Sequence, residues 1–152
     1  MKSHSKVAII GGGIMGVSLL YHLTKEGWSD IVLIEKGELT SGSTWHAAGQ
    51  CPHFVGSYNS AKIHNYSNKL YQELEKETGQ STGWHGCGSI RLALKKEDVN
   101  WFHYVKGILD NVGSPAEIIS KEEILDLHPF LKIDDALCGL YTPEDGYTDP
   151  TS

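Results

Sequence analysis

Cysteine is scarce: the 152 residues hold three, Cys51, Cys87 and Cys138. The number is odd and no Cys-x-x-Cys pair occurs. A disulfide framework or thiolate zinc site is therefore not expected, and a reducing compartment fits best. Basic charge is also in short supply, with 13 Lys and Arg against 19 Asp and Glu and a net charge of −6. Residues 1–116 carry 11 basic and 10 acidic side chains, whereas residues 117–152 carry 2 and 9. A nearly neutral first part and an acidic tail argue against nucleic acid as a partner, which needs a basic face. No apolar run reaches the roughly 20 residues of a membrane helix. The start, "MKSHSKVAIIGGG", enters a short apolar run with no signal-peptide cleavage pattern. The expected setting is soluble and cytoplasmic, without a membrane partner. Repeats and low-complexity segments are absent from the sequence, and His53, His64, His85 and His103 stand at no ligand-like spacing from carboxylates or thiols, so no metal site is expected.

What is present is an ordinary globular composition, 39% hydrophobic and 21% charged. The length fits about one domain. "KVAII" (6–10) and "IVLIE" (31–35) are short, β-branched apolar runs that predict buried parallel strands. Between them "GGGIMGVSLLYHLTKEG" sets Ile14, Val17, Leu20 and Leu23 in a helical stripe, closed by Gly27 as the residue after the C-cap. Strand, glycine turn, helix and strand make a βαβ unit. Residues 37–58, rich in Gly, Ser and Thr, predict a loop of a length that is usually functional or disordered. Residues 59–78 predict an amphipathic helix with Ile63, Tyr66, Leu70, Tyr71 and Leu74 on its apolar face, ended by Gly79. "SIRLAL" (89–94) predicts a strand. "KEDVNWFHYVKGILDNVG" predicts a helix in which Trp101 and Tyr104 pack. "SKEEILDLHP" predicts a short helix with Ser120 and Glu123 as a capping box, stopping before Pro129. "ALCGLYT" (136–142) predicts a strand leading into "PEDGYTDP", where Asp145 and Asp149 are expected to make turn contacts.

Gly11, Gly13 and Gly16 form G-x-G-x-x-G between the first strand and first helix. Gly11 permits the tight turn, Gly13 lets the backbone approach a pyrophosphate, and Gly16 lets the helix pack on the strand. A diphosphate would rest on the helix N-terminus, where unpaired N–H groups and the helix dipole favour an anion. Glu35, at the end of the second strand, stands where a carboxylate accepts bonds from a ribose diol. This pattern predicts dinucleotide binding without separating NAD from FAD.

"ELTSGSTWHAAG" separates them. With "GGGIMG", "HLTKEGWSDIVLIEK", "KLYQELEKETG", "GSIRLA" and "LYTPEDGYTDP", it resembles the dimethylglycine and sarcosine dehydrogenase branch of the FAD-dependent amine and D-amino-acid oxidase superfamily. The resemblance covers essentially the whole chain. It implies an α/β fold: a Rossmann-like FAD-binding βαβ start followed by part of an α+β substrate domain. It also implies that residues 1–152 are the N-terminal part of such a domain, truncated at the C-terminus. The implied cofactor is FAD, held by Gly11, Gly13, Ile14, Met15, Gly16, Glu35, Lys36, Gly42, Ser43, Thr44, Trp45, His46, Ala47, Ala48 and Gly49. In that family the histidine of this loop bonds covalently to the flavin's dimethylbenzene methyl group; here that residue is His46. The chemistry is consistent, because a neutral imidazole is a nucleophile and small neighbours let the loop lie against a flat ring system.

The implied reaction is oxidation of the N-methyl C–N bond of a small amino acid such as dimethylglycine or sarcosine. The implied partners are an electron acceptor, either electron-transfer flavoprotein or oxygen, and tetrahydrofolate through a region C-terminal to this chain. No catalytic residue follows from the resemblance, although His85 or Arg91 in "GWHGCGSIRL" could face substrate. "YSNKLYQELEKETG" and "PAEIIS" also resemble the non-catalytic pyruvate dehydrogenase phosphatase regulatory subunit, which lacks the loop histidine. His46 favours the enzyme.

Overall fold

The computed structural model describes residues 4–151; the expectations that touch residues 1–3 and Ser152 lie outside the described residues. The chain divides into two compact units, one running to Ala48 and the other spanning Gly49–Pro150. In the first, the apolar runs form parallel strands β1 (Val7–Ile10) and β2 (Ile31–Ile34), with Val7 opposite Ile31 and Ile10 opposite Ile34. Helix α1 (Ile14–Lys25) connects them. It ends as the sequence predicts: Gly27 takes φ +85°, its N–H donates to Thr24, and the Trp28 N–H reaches back to Leu23. Those two bonds, around a left-handed glycine, make a Schellman cap.

The expected burial of this unit is not observed. The pleat sends alternate side chains to opposite faces, and only the face toward α1 is covered. Ile9 is buried, but Ile10 is 87% exposed and Ile34 53% exposed. Along the α1 stripe Leu20 and Leu23 are half-buried, whereas Ile14 is 47% and Val17 38% exposed. A single layer of helix on two strands gives these residues too little surface to bury against.

The second unit contains β3 (Gln50–Cys51), α2 (Tyr58–Thr78), β4 (Ser89–Ala93), α3 (Lys96–Val112), β5 (Glu117–Ile119), α4 (Lys121–Leu127), β6 (Cys138–Thr142) and β7 (Gly146–Tyr147). Strands β4, β6 and β5 form an antiparallel sheet with β6 in the centre, and β3 pairs antiparallel with β7. Leu140 and Ala93 meet Phe102, Val105 and Leu109 of α3 and Ala61 of α2 in one core cluster. Ile119, Ile124, Ile133 and Ala136 form a second, joined by Ile90, Leu92 and Tyr141. Gly139 lies beneath α4, where a β-carbon would come 3.0 Å from Ile124 Cδ1.

Two helix faces differ from expectation. In α2 the buried residues are Ala61 and Asn68, while Ile63 is 65% exposed and Tyr66 is also exposed. In α3 the buried stripe is Phe102, Val105 and Leu109. Trp101 and Tyr104 stand on the outer side, their rings stacked at 5.1 Å. Trp101 covers Gly56, where a β-carbon would meet its ring at 2.5 Å. Small and polar residues sit inward on α2 because its partner is a helix with bulky residues and a polar cluster, described next.

Candidate dinucleotide site

The glycine turn owes its shape to three different constraints. Gly11 has φ +107°, a conformation glycine adopts without steric cost, and its N–H donates to Ile34 across the strands at 2.8 Å. Gly16 packs so closely on the turn that a β-carbon would collide with the Gly11 carbonyl oxygen. Gly13 is the N-cap of α1 in extended conformation, and a β-carbon there would come 2.9 Å from Thr44 Oγ1. The expected roles of Gly11 and Gly16 follow directly. At Gly13, the group that approaches the backbone in this structure is the Thr44 hydroxyl.

Glu35, just beyond β2, accepts the Gly12 N–H on Oε2 at 2.6 Å and the Gly37 N–H on Oε1 at 2.9 Å. The Gly12 bond, followed by the Gly37 bond, holds its carboxyl below the ordinary glutamate range. A carboxylate offers about four acceptor positions, so capacity remains for a further donor. The first turn of α1 contains no acidic residue and its cap has no side chain. The helix itself therefore supplies no carboxylate to its own N-terminus, and Glu35, on the Gly12 N–H, is the carboxylate placed next to it. Ile14 and Met15 open this helix with their side chains exposed, and Lys36 is exposed beside Glu35.

Residues 37–48 return to the glycine turn. The Thr40 N–H donates to Gly12 O at 3.2 Å, and Ile14 N–H donates to Thr44 Oγ1 at 3.0 Å. Thr44–His46 make a single 3₁₀ turn. His46 Nδ1 lies 3.0 Å from Gly42 O, and the Trp45 and His46 rings are 3.9 Å apart. A carbonyl can only accept, so in the neutral ring a hydrogen on Nδ1 would answer Gly42 O and leave the lone pair on Nε2. The structure thus gathers Gly11, Gly13, Gly16, Glu35, Thr44, Trp45 and His46 of the sequence-predicted set into one unit, with Gly42 and Ser43 in the backbone of the same turn. Ala47 and Ala48 are exposed at its end. Gly49 belongs to the second unit, with φ +70° and its carbonyl accepting the Thr148 N–H at 2.9 Å.

Sequence reasoning missed Gly12 and Thr40. Gly12 has its N–H held by Glu35 and its carbonyl by Thr40, and a β-carbon there would meet Leu39 Cδ2 at 2.6 Å. Thr40 takes φ +65°, an uncommon and strained conformation for a β-branched residue.

In the second unit the missed residue is Asp145. It is 1% exposed and accepts four hydrogen bonds: from His53 N–H at 2.8 Å, His53 Nδ1 at 2.7 Å, Ser89 Oγ at 2.5 Å and Thr142 Oγ1 at 2.6 Å. Asn68 lies against the His53 ring and donates to Cys51 O at 2.8 Å. The turn contact expected for Asp145 exists, its N–H donating to Thr142 O, but the side chain is the hub of a buried cluster. Arg91 lies over the Phe54 ring at 4.3 Å, and His85 stacks on Tyr147 at 4.8 Å. Among the described residues no group of three or more His, Cys, Asp or Glu could hold a metal ion, and no helix is long and apolar enough to cross a membrane.

The chain is similar to several known proteins. Rat (Rattus norvegicus) mitochondrial dimethylglycine dehydrogenase is 50% identical over 151 residues, 99% of this chain and 18% of that protein. The mitochondrial pyruvate dehydrogenase phosphatase regulatory subunit of Mus musculus is 45% identical over 145 residues, 95% of this chain and 16% of that protein. The chain thus spans less than a fifth of the length of these relatives. The crystal structure of L-proline dehydrogenase from P. horikoshii superposes with a TM-score of 0.90 at 28% identity, covering 99% of this chain and 40% of that one. The pattern of the FAD dependent oxidoreductase family matches residues 6–152, and the chain belongs to that family.

Proposed function

We propose that this chain is the cofactor-binding start of a flavoenzyme that oxidises the N-methyl C–N bond of a small amino acid such as dimethylglycine or sarcosine. The observation that carries the reading is the attachment of the histidine-bearing turn to the dinucleotide fingerprint, through Thr44 on Ile14 and Thr40 on Gly12. The residues fit FAD. The Gly11, Gly12 and Ile14 N–H groups are held by Ile34, Glu35 and Thr44, so the rest of the glycine turn and first turn of α1 would meet the diphosphate, and Glu35 has acceptor capacity left for a ribose diol. When bound, FAD supplies a two-electron acceptor for the hydride leaving the substrate carbon. The protein's own part is to hold the diphosphate, orient the ring system with the small residues that flank Trp45 and His46 up to Ala48, and keep the His46 Nε2 lone pair available.

The finer proposal is that His46 carries the flavin covalently, through Nε2. Acid-denatured full protein should keep its yellow colour with the polypeptide, and peptide mass spectrometry should find the flavin mass on the fragment containing His46. His46→Ala should release the colour on acid treatment while still binding FAD through the glycine turn. Gly13→Val should abolish flavin binding. Full flavin occupancy in that variant would refute the assignment of the glycine turn.

A second reading, a non-catalytic protein that keeps the FAD fold, has the mouse regulatory subunit in its favour. Bleaching of the flavin spectrum by dimethylglycine or sarcosine under anaerobic conditions supports the enzyme. A flavin-loaded protein that no N-methyl amino acid reduces supports the regulator.

A further inference from the structure

Helix α1 begins on a glycine. An N-cap side chain ordinarily satisfies one of the first free N–H groups of a helix, and Gly13 has none to offer. The missing acceptor comes from 30 residues further along, where Thr44 Oγ1 takes the Ile14 N–H at 3.0 Å. The absence of a β-carbon at Gly13 is what admits this hydroxyl. Thr44 is also the first residue of the 3₁₀ turn that ends on His46. From that point the imidazole has little freedom. The Ala47 N–H closes the turn on Thr44 O at 3.1 Å, the Trp45 N–H reaches Thr40 O at 3.4 Å, Nδ1 is tied to Gly42 O, and the Trp45 ring lies against it.

We infer that Thr44 is a positioning residue: its hydroxyl pegs the histidine turn to the start of α1 and so registers His46 Nε2 with whatever the glycine turn binds. This rests on the FAD reading and on the covalent bond at His46 proposed above. In covalent attachment, the His46 Nε2 lone pair forms a bond to the flavin's benzenoid methyl carbon, which gives up one hydrogen as a proton. The imidazole loses its own proton, two electrons and both protons reach the oxidised ring system, and dioxygen then takes them as hydrogen peroxide. Thr44 takes no part in these transfers. It sets the distance over which the new bond must form, a step sensitive to small displacements. The Thr40 backbone, strained at φ +65°, folds the loop onto the glycine turn and adds a second tether through Gly12. The strained residue and the peg flank the same short arc.

The test uses the full protein and measures covalent flavin, after acid precipitation, separately from total flavin. Thr44→Val keeps the shape and removes the acceptor. It should retain total FAD while the covalent fraction, or its rate of appearance in apoprotein supplied with FAD and air, falls about fivefold, the worth of one net hydrogen bond. Thr44→Ser restores the acceptor and should restore attachment. Unchanged covalent attachment in Thr44→Val overturns the inference. Loss of total FAD in Thr44→Val, rescued by Ser, also overturns it, since Thr44 would then be an ordinary binding group. Absence of flavin from the wild-type protein is a separate failure, that of the FAD reading, as is flavin that acid releases in full, that of the His46 bond, and both are measured before any variant is made.

Discussion

A β-carbon on Gly16 has nowhere to go. It would meet the Gly11 carbonyl oxygen, part of a backbone that Ile34 already holds, and come into contact with Ile9 Cγ2 at 3.4 Å. Gly27 is a different case: open space surrounds it, and only its φ of +85° resists a side chain. Gly27→Ala should therefore cost about 1–2 kcal/mol of the first unit's stability, the left-handed penalty alone. Gly16→Ala must move the turn, and should cost more and weaken flavin retention as well. Thermal melting with and without FAD compares the two. A smaller loss at Gly16 than at Gly27 would mean the turn yields easily. The glycine spacing was legible in the sequence because a strand–turn–helix junction is local. Gly12 and Thr40 were not, because their partners come from across the chain, Glu35 being 23 residues from Gly12. A middle glycine in "GGG" carries no mark of which neighbour crowds it.

Helices were read well where their ends carry chemistry. Helix α4 starts on the predicted capping box, Ser120 N–H donating to Glu123 Oε2 at 2.8 Å and Glu123 N–H to Ser120 Oγ at 3.3 Å. The helix has seven residues and one buried anchor, Ile124, so it is too short to persist without its cap. Ser120→Ala should lower the stability of the second unit by about 1 kcal/mol, read as a lower urea midpoint with an unchanged slope. Glu123→Gln, which keeps an acceptor, should cost less. Strands β3, β5 and β7 escaped the sequence reading because each is two or three residues long and exists only through its partner. Helix faces escaped it for a related reason. Periodicity finds the apolar residues of α2, but Ala61 and Asn68 face inward because α2 meets α3 and the Asp145 cluster there. Apolar character alone does not say which side has a neighbour.

At the scale of the molecule, the larger unit is held by two apolar clusters and one charged hub, and only the clusters had a visible pattern. Asp145 joins segments that the chain keeps far apart: His53 after β3, Ser89 at the start of β4 and Thr142 at the end of β6. Burial pushes its carboxyl up, but the donors from His53, Ser89 and Thr142, with the His53 backbone N–H, outweigh that and hold it below the usual aspartate value of 3.8. The ionised form is thus favoured in the folded state. Its stabilisation is complete above the unfolded value and is lost as pH falls through the lower, folded one. The wild-type protein should accordingly keep this contribution at pH 5 and lose it only below about pH 3.8. Asp145→Asn preserves size but removes one acceptor oxygen and turns two new hydrogens toward groups that are themselves donors. It should cost about 3 kcal/mol at pH 7, as expected for breaking one partner of a buried, charge-assisted network. It should also flatten the acid limb of the stability curve. Urea midpoints of wild type and Asp145→Asn, measured from pH 7 to pH 3, give both quantities. Two curves that stay parallel down to pH 3 would show that the carboxylate charge at Asp145 does not hold these segments together.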